Sequence, residues 1–383
     1  MLYLDHAAST PMRPEAVAAM LPYLTEHPGN PSGTHSASRI SKTALEQARE
    51  DVAAVVGCDA REVIFCGGGS ESDNLAIKGA AAARRDAGLD GVVVSGIEHK
   101  AVIGAAQRLG RDGFRVTTVG ATCGGVVDLD RLADSLDDKT AVVSVMFVNN
   151  ETGVVQPLDE VRALISERSP QAVLHTDAVQ APQWVDLTTA ARAADLVSLS
   201  GHKFGGPKGV GVLIRRSEVA VSPLIEGGGH ELGFRAGTQN VAGIVAFSEA
   251  LRITHAQRLA EVQRIAALRD RLELALASQL EEFAVNGDVE RRVAGLLHAA
   301  FGGVESETML VALDVAGVCA ASGSACSSGA IDPSHVLIAM GMSRSVALSS
   351  VRFSLGWAST DADIDAAIPI IVNTVNGLRS RAA

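Results

Sequence analysis

The sequence predicts an α/β protein with a mainly parallel central sheet in a large domain, joined to a smaller α+β domain. Two observations carry this. Short apolar runs rich in β-branched residues recur between about residues 16 and 252, separated by helical periodicity, and the runs do not alternate with polar residues. Strands of that kind are buried on both faces, as in parallel sheets covered by helices. Beyond them, a long run with helical spacing leads into a glycine-punctuated segment, and 383 residues exceed what one small core holds. The division expected is a large domain over 15–255 and a small domain built from 1–14 and 256–383.

Composition narrows the class. An apolar fraction of 47% with 38 glycines fits a buried α/β chain with many tight turns. Aromatics at 3% and a net charge of −11 argue against base-stacking surfaces and against nonspecific binding to nucleic acid or anionic membrane. No direct nucleic-acid partner and no membrane association are expected. No apolar run spans a bilayer and Met1–Asp5 lacks a signal-peptide pattern, so a cytoplasmic enzyme is the expectation. The five cysteines, Cys58, Cys66, Cys123, Cys319 and Cys326, form no Cys-x-x-Cys pair. Neither a disulfide framework nor a metal site is expected.

Helical periodicity is readable in Thr43–Val56, where Leu45, Ala48, Val52 and Val55 share a face. The strand Val63–Phe65 follows, and Gly67–Asn74 leads from it into helical Leu75–Ala83. Glycines before a helix offer backbone N–H groups to an anion, with Ser70 as a further donor; an ordinary capped turn has the same composition. After the strand Val92–Val94 comes Ile97-Glu98-His99. That histidine is either structural or an imidazole that stacks on a cofactor ring or moves protons. Ala141–Val145 precedes Val148–Gly153, whose Asn149 and Asn150 either form a turn or donate to a substrate carboxylate. Ala172–His175 precedes Asp177–Gln180. A buried acid at a strand end is costly unless paired. A pyridinium nitrogen would pair Asp177; a helix N-cap is the other reading.

The run Leu196–Leu199 ends in Ser200-Gly201-His202-Lys203-Phe204-Gly205-Gly206-Pro207-Lys208-Gly209. A lysine in a glycine-rich turn at a strand end presents an amine to an aldehyde cofactor, and the Ser200 hydroxyl and His202 imidazole beside it suit a phosphate. Together they suggest pyridoxal 5'-phosphate held on lysine. Val210–Ile214 reads as the next strand. His255–Phe283 reads as an amphipathic helix, with Leu259, Val262, Ile265, Leu268, Leu272, Leu276 and Leu280 at spacings of three and four. Ala320–Gly329 is nearly all small residues and reads as a mobile loop or a loop end. Ser350–Ser354 places Arg352 inside an apolar strand, where it either snorkels to the surface or grips a carboxylate.

With these residues in view, the chain resembles the group I cysteine desulfurases (NifS/IscS-like) of the aminotransferase class V family, pyridoxal-phosphate enzymes of fold type I. The resemblance runs from Tyr3–Pro11 to Ser350–Gly356. It is carried by Gly29–Ser32, Gly68–Asn74, Glu98-His99, Asn149–Gly153, Asp177–Gln180, Ser200–Gly209, Gly227–Glu231 with Arg235–Thr238, Ser322–Ser327 and Val351–Phe353. It implies that Lys203 is the Schiff-base lysine, that His99 stacks over the ring as an acid/base, that Asp177 pairs with the ring nitrogen and that Gln180 reaches the phenolic oxygen. Gly69, Ser70, Ser200 and His202 would hold the phosphate, with Thr238 reaching across from the second subunit of a homodimer. Asn150 and Arg352 would bind the carboxylate of L-cysteine. Lys203 would take the Cα proton, and Cys326 would attack the substrate sulfur as a thiolate.

The implied products are L-alanine and a persulfide on Cys326, passed to a sulfur-acceptor protein that the sequence does not name. Iron–sulfur cluster assembly or another sulfur modification would be served. Two departures stand out. Leu232 replaces the arginine usual in group I, so a charge near the cofactor or the partner-facing surface is missing, and Gln183-Trp184 stands where a Gly-Lys pair is common. Group II enzymes carry a shorter, differently patterned cysteine segment. The alternative is another class V enzyme, such as a selenocysteine lyase or an aminotransferase. A third reading, a sulfur carrier or scaffold without activity, predicts no cofactor.

Overall fold

The computed structural model describes residues 1–323 and 332–382; Cys326 lies outside the described residues. Seven strands form the central sheet, in spatial order Val63–Cys66, Gly211–Arg215, Leu196–Ser200, Val173–Asp177, Thr140–Ser144, Gly91–Ser95 and Arg115–Val119. Gly211–Arg215 runs antiparallel to both neighbours, and the remaining adjacent pairs are parallel. Every residue of the six strands other than Arg115–Val119 is buried. Helices cover both faces, which is why these runs lack polar alternation. The fold is α/β with a mainly parallel central sheet, as the sequence predicts.

The exceptions have physical causes. Arg115–Val119 is an edge strand that exposes Arg115, Thr117 and Thr118, so no apolar run marks it. The long helix spans Val241–Gln279, beginning well before His255. Its first turns bury Ala242, Gly243, Ile244, Ala246, Phe247, Ala250 and Leu251 on several sides, leaving no polar face to reveal a period. Leu259 is 73% exposed, so the buried face is narrower than its spacing suggests; Ile265, Leu268, Leu272 and Leu276 carry the packing. Phe283 belongs to a strand, Phe283–Val285, rather than to the helix end.

A second, antiparallel sheet orders Ser350–Ser354, Leu296–Phe301 and Phe283–Val285. Leu2–Tyr3 pairs in parallel with Val318–Cys319, and Asp5 bridges to Ser354. These pairings bring the first residues of the chain against strands from its last third. Because six of the seven large-sheet strands point one way, Cys66, Ser95, Ser144, Asp177 and Ser200 end on one edge, where open α/β sheets bind ligands. Among the described residues no helix is long and apolar enough to cross a membrane.

Candidate active site

That edge opens into a cavity of about 460 Å³ lined by Gly69, Ser70, His99, Asn150, Asp177, Gln180, Ser200, His202, Lys203 and Arg352. Residues far apart in sequence thus meet in one place. Thr238 is exposed and does not line this cavity in its own chain. A larger cleft of about 810 Å³, beside Tyr3, Met12 and Lys208, shares only His202 with it and holds none of its buried acids.

Lys203 ends a short 3-10 turn, Gly201–Lys203, directly after the strand Leu196–Ser200. The turn is pinned by Gly201 N donating to Val210 O at 3.0 Å, Thr10 N to His202 O at 3.0 Å and Gln183 Nε2 to Lys203 O at 2.6 Å. The unusual Gln183 therefore has a local task. Lys203 Nζ donates to Ala7 O at 2.6 Å and Ala8 O at 2.9 Å, carbonyls of the N-terminal segment. Burial, with Arg352 nearby, pushes the amine down to about 8, against the pull of Asp177 and Asp5. Burial and the two lysines Lys203 and Lys208 lower His202 to about 4, so its imidazole is neutral at pH 7.

Two carboxyls face each other across the cavity floor. Asp177, the last residue of its strand, accepts from Val179 N at 2.9 Å and is 4% exposed. It caps a turn rather than a helix, since the next helix begins only at Leu187, and its side chain lines the cavity. Asp73, 1% exposed, has an Oδ1 that accepts no hydrogen bond among the described residues and lies 3.6 Å from His175 Nε2. Ligand-type atoms of Asp73, His99 and Asp177 lie within 4.8 Å of one another. Burial raises the pKa of Asp177, and burial together with the Asp177 charge raises that of Asp73 well above the usual range. Two acids this close in a dry setting do not both ionise unless a cation joins them.

Behind them His175, kept neutral by burial, spans Ser144 Oγ at 2.9 Å and Ser198 Oγ at 3.0 Å. His99 caps the helix Lys100–Arg111: its Nδ1 accepts from Ala101 N at 3.1 Å, which leaves the other ring nitrogen for the cavity. Desolvation by the cavity walls lowers its pKa, Asp177 opposes this, and Lys203 and His335 add to the lowering.

Arg352 does not snorkel; it is 4% exposed. Its Nη1 donates to Asn150 O at 2.7 Å and its Nη2 to Asp5 Oδ1 at 2.8 Å, while Nε is buried and makes no hydrogen bond among the described residues. Of the two asparagines, Asn149 makes the turn: its Oδ1 accepts from Glu151 N at 3.0 Å and Thr152 N at 2.9 Å. Asn150 is the one that reaches the cavity. Gln180 Nε2 donates to Ala7 O at 2.8 Å. At the phosphate-type turn, a Cβ on Gly69 would lie 2.9 Å from Val179 Cγ2 and 3.3 Å from Ser200 Cβ, so the approach of the chain there requires glycine.

The donor set fits pyridoxal 5'-phosphate. It offers an amine with a lowered pKa for the aldehyde, the buried carboxyl of Asp177 at the cavity wall for a ring cation, and hydroxyl and backbone donors for a phosphate. Sequence reasoning assigned no role to Asp73, Glu98 or Asp5. Glu98 is fully buried, accepts from Ser95 Oγ at 2.5 Å and Met146 N at 2.6 Å, and burial lifts it to about 8. The signal that picked out Asp177, an acid just after a buried strand, was present at Glu98 as well.

Comparison with known proteins gives the family and the fold. The profile of the family described as "Aminotransferase class-V" matches residues 2–367. A cysteine desulfurase of Trichormus azollae is 40% identical over 380 residues, covering 99% of this chain and 94% of that protein. Among solved structures, a NifS-like protein superposes with a TM-score of 0.92 at 30% identity, covering 98% of this chain and 99% of that one. A structure described as SspA in complex with cysteine gives 0.82 at 31% identity, covering 93% and 99%.

Proposed function

We propose, from the premise that this chain belongs to the aminotransferase class-V family, that it is a cysteine desulfurase acting on L-cysteine. The observation that carries the reading is one cavity in which Lys203, Asp177 and His99 face the buried guanidinium of Arg352. When bound, pyridoxal 5'-phosphate supplies an aldehyde for amines and an electron sink for charge at Cα. Lys203 would hold it covalently, Asp177 at the ring nitrogen, His99 against the ring and Gln180 at the phenolic oxygen. Gly69, Ser70, Ser200 and His202 would hold its phosphate.

Arg352 and Asn150, which line the same cavity, orient the substrate carboxylate. Lys203, lowered to about 8, accepts the Cα proton once it is free to act as a base. Asp177, buried and opposite that base, holds positive charge on the ring side of the cavity. Cys326 then attacks the substrate sulfur as a thiolate: a sulfur–sulfur bond forms, and the Cβ–sulfur bond breaks with its electron pair kept on the carbon side. Lys203 returns its proton, which together with a second proton, the one Cys326 gave up, completes Cβ and Cα, and L-alanine leaves. The persulfide on Cys326 passes to a sulfur-acceptor protein.

The working unit is a homodimer in the cytoplasm. Thr238 is exposed and absent from its own cavity, and Leu224, Ile225 and Leu232 are exposed apolar residues of the same region, which supports a second copy covering this face and receiving Thr238. The experiment is release of sulfide and L-alanine from L-cysteine, compared with selenocysteine and other amino acids. Equal or better turnover of another amino acid sinks the desulfurase reading. Cys326→Ser should bind cofactor and cysteine but accumulate no protein persulfide.

A further inference from the structure

Glu231 belongs to the loop Gly227–Thr238, yet it is only 3% exposed. Its carboxylate accepts four hydrogen bonds. Oε2 takes Arg49 Nη1 at 2.8 Å and Phe65 N at 2.9 Å; Oε1 takes Arg49 Nη2 at 3.0 Å and Gln239 Nε2 at 3.2 Å. Arg49, 5% exposed, also donates to Val63 O at 2.6 Å and lies over the Phe65 ring at 4.9 Å. A buried bidentate pair thus ties the loop to the helix Ser36–Val56 and to the strand Val63–Cys66.

Stability alone does not explain the pair, because well-packed apolar residues serve as well as buried charges. The backbone is unusual too. Glu231 and Leu232 are left-handed, with φ 44° and 57°, ahead of Gly233 at 87°. Non-glycine residues in that region persist where surrounding contacts over-determine them, commonly at ligand clamps. A second tie lies further along: Arg235 Nε donates to Glu71 Oε1 at 2.9 Å, and Glu71 Oε2 accepts from Gly67 N at 2.9 Å. Both ties end on the strand and turn that carry Gly69 and Ser70. Thr238, at the end of the clasped loop, is left exposed.

We infer that Glu231 is a positioning residue: clasped by Arg49 and Phe65 N, it holds the loop in the one shape that presents Thr238 to a phosphate group in the site of a second copy of this chain. This rests on the reading above that Thr238 serves the neighbouring subunit. A lesion at Glu231 then harms the neighbour's site and spares its own.

The test titrates cofactor-free protein with pyridoxal 5'-phosphate and reads absorbance of the bound cofactor, not turnover. Glu231→Gln should raise the cofactor Kd about tenfold, the loss of one good charge-assisted contact, with dimer mass and cooperative melting retained. Because Gln leaves Arg49 with a weakened partner, the double variant Arg49→Met with Glu231→Leu removes both charges and should show the same loss in a folded dimer. In a purified heterodimer of a Glu231→Gln subunit and a Lys203→Ala subunit, the one lysine-bearing site faces an intact loop and should bind with wild-type affinity. Wild-type affinity in both homodimeric variants, or weakened binding at the lysine-bearing site of the heterodimer, overturns the inference. Thr238→Ala separates it from its premise. If Thr238→Ala binds as wild type, the reading of Thr238 fails and the inference with it. If Thr238→Ala weakens binding while neither Glu231 variant does, that reading stands and the role of Glu231 falls.

Discussion

Lys203 carries its amine at about 8, so at pH 7 most of the cofactor-free protein holds it protonated and unable to attack an aldehyde. Capture of added pyridoxal 5'-phosphate should therefore speed up about tenfold between pH 7 and pH 9, following the neutral fraction. Stopped-flow absorbance checks this, and a flat profile contradicts it. Asp177→Asn keeps the shape but removes the charge opposite the ring nitrogen; turnover should fall by about 10²–10³-fold with the fold intact. Glu98 gives a stability prediction. Its folded pKa is raised from 4.5 to about 8, so the native state binds the extra proton between those values and loses stability as pH rises through that window. Glu98→Gln cannot titrate. Its melting temperature relative to wild type should climb steadily from pH 5 to pH 8, by no more than about 1.4 kcal/mol of stability per pH unit. A constant difference across that range would mean that Glu98 is ionised throughout.

At the scale of elements, the antiparallel strand Gly211–Arg215 decides how close the phosphate-type turn can come to the sheet. A Cβ on Gly211 would lie 2.4 Å from the carbonyl carbon of Gly68, which is backbone and cannot swing aside. Gly211→Ala should therefore displace the Gly67–Ser70 turn. It should cost about 1–3 kcal/mol of stability, as overpacking does, and weaken cofactor retention more than melting suggests. Chemical denaturation and cofactor titration of the same sample separate the two effects. Equal retention would show that the turn does not hold the phosphate. The strand itself was legible as an apolar run, Val210–Ile214. Its antiparallel direction and its contact with Gly68 were not, because both depend on where the chain returns to the sheet.

For the whole molecule, the composite-site reading makes a test in trans. A heterodimer of a Thr238→Ala subunit and a Lys203→Ala subunit should collect both lesions in one site and leave the other complete, returning about half of wild-type activity. Little activity in a verified heterodimer contradicts it. The proposed division into 15–255 and 1–14 with 256–383 places its boundary inside the continuous helix Val241–Gln279, so any hinge between the two parts has to use that helix as a shared strut. The N-terminal segment matters at this scale as well. Leu2–Tyr3 is anchored to Val318–Cys319, and Ala7 and Ala8 supply the carbonyls that hold Lys203.

By itself the sequence determined the alternation of buried strands and helices, and the chemistry-bearing residue types at their ends: Ser70, His99, Asn150, Asp177, Ser200 and Lys203. Those signals are local, since a buried strand and the turn after it are written in a few consecutive residues. Polar or evenly buried elements left no such trace, so Arg115–Val119 and the start of Val241–Gln279 were invisible. Tertiary structure alone decided the pairings. Arg352 meets Asp5 across 347 positions, Lys203 meets Ala7 across 196 and Arg49 meets Glu231 across 182. None of these follows from a local pattern, because which distant residues meet is set by the path of the chain through the sheet, and a buried charge takes the partner that path supplies.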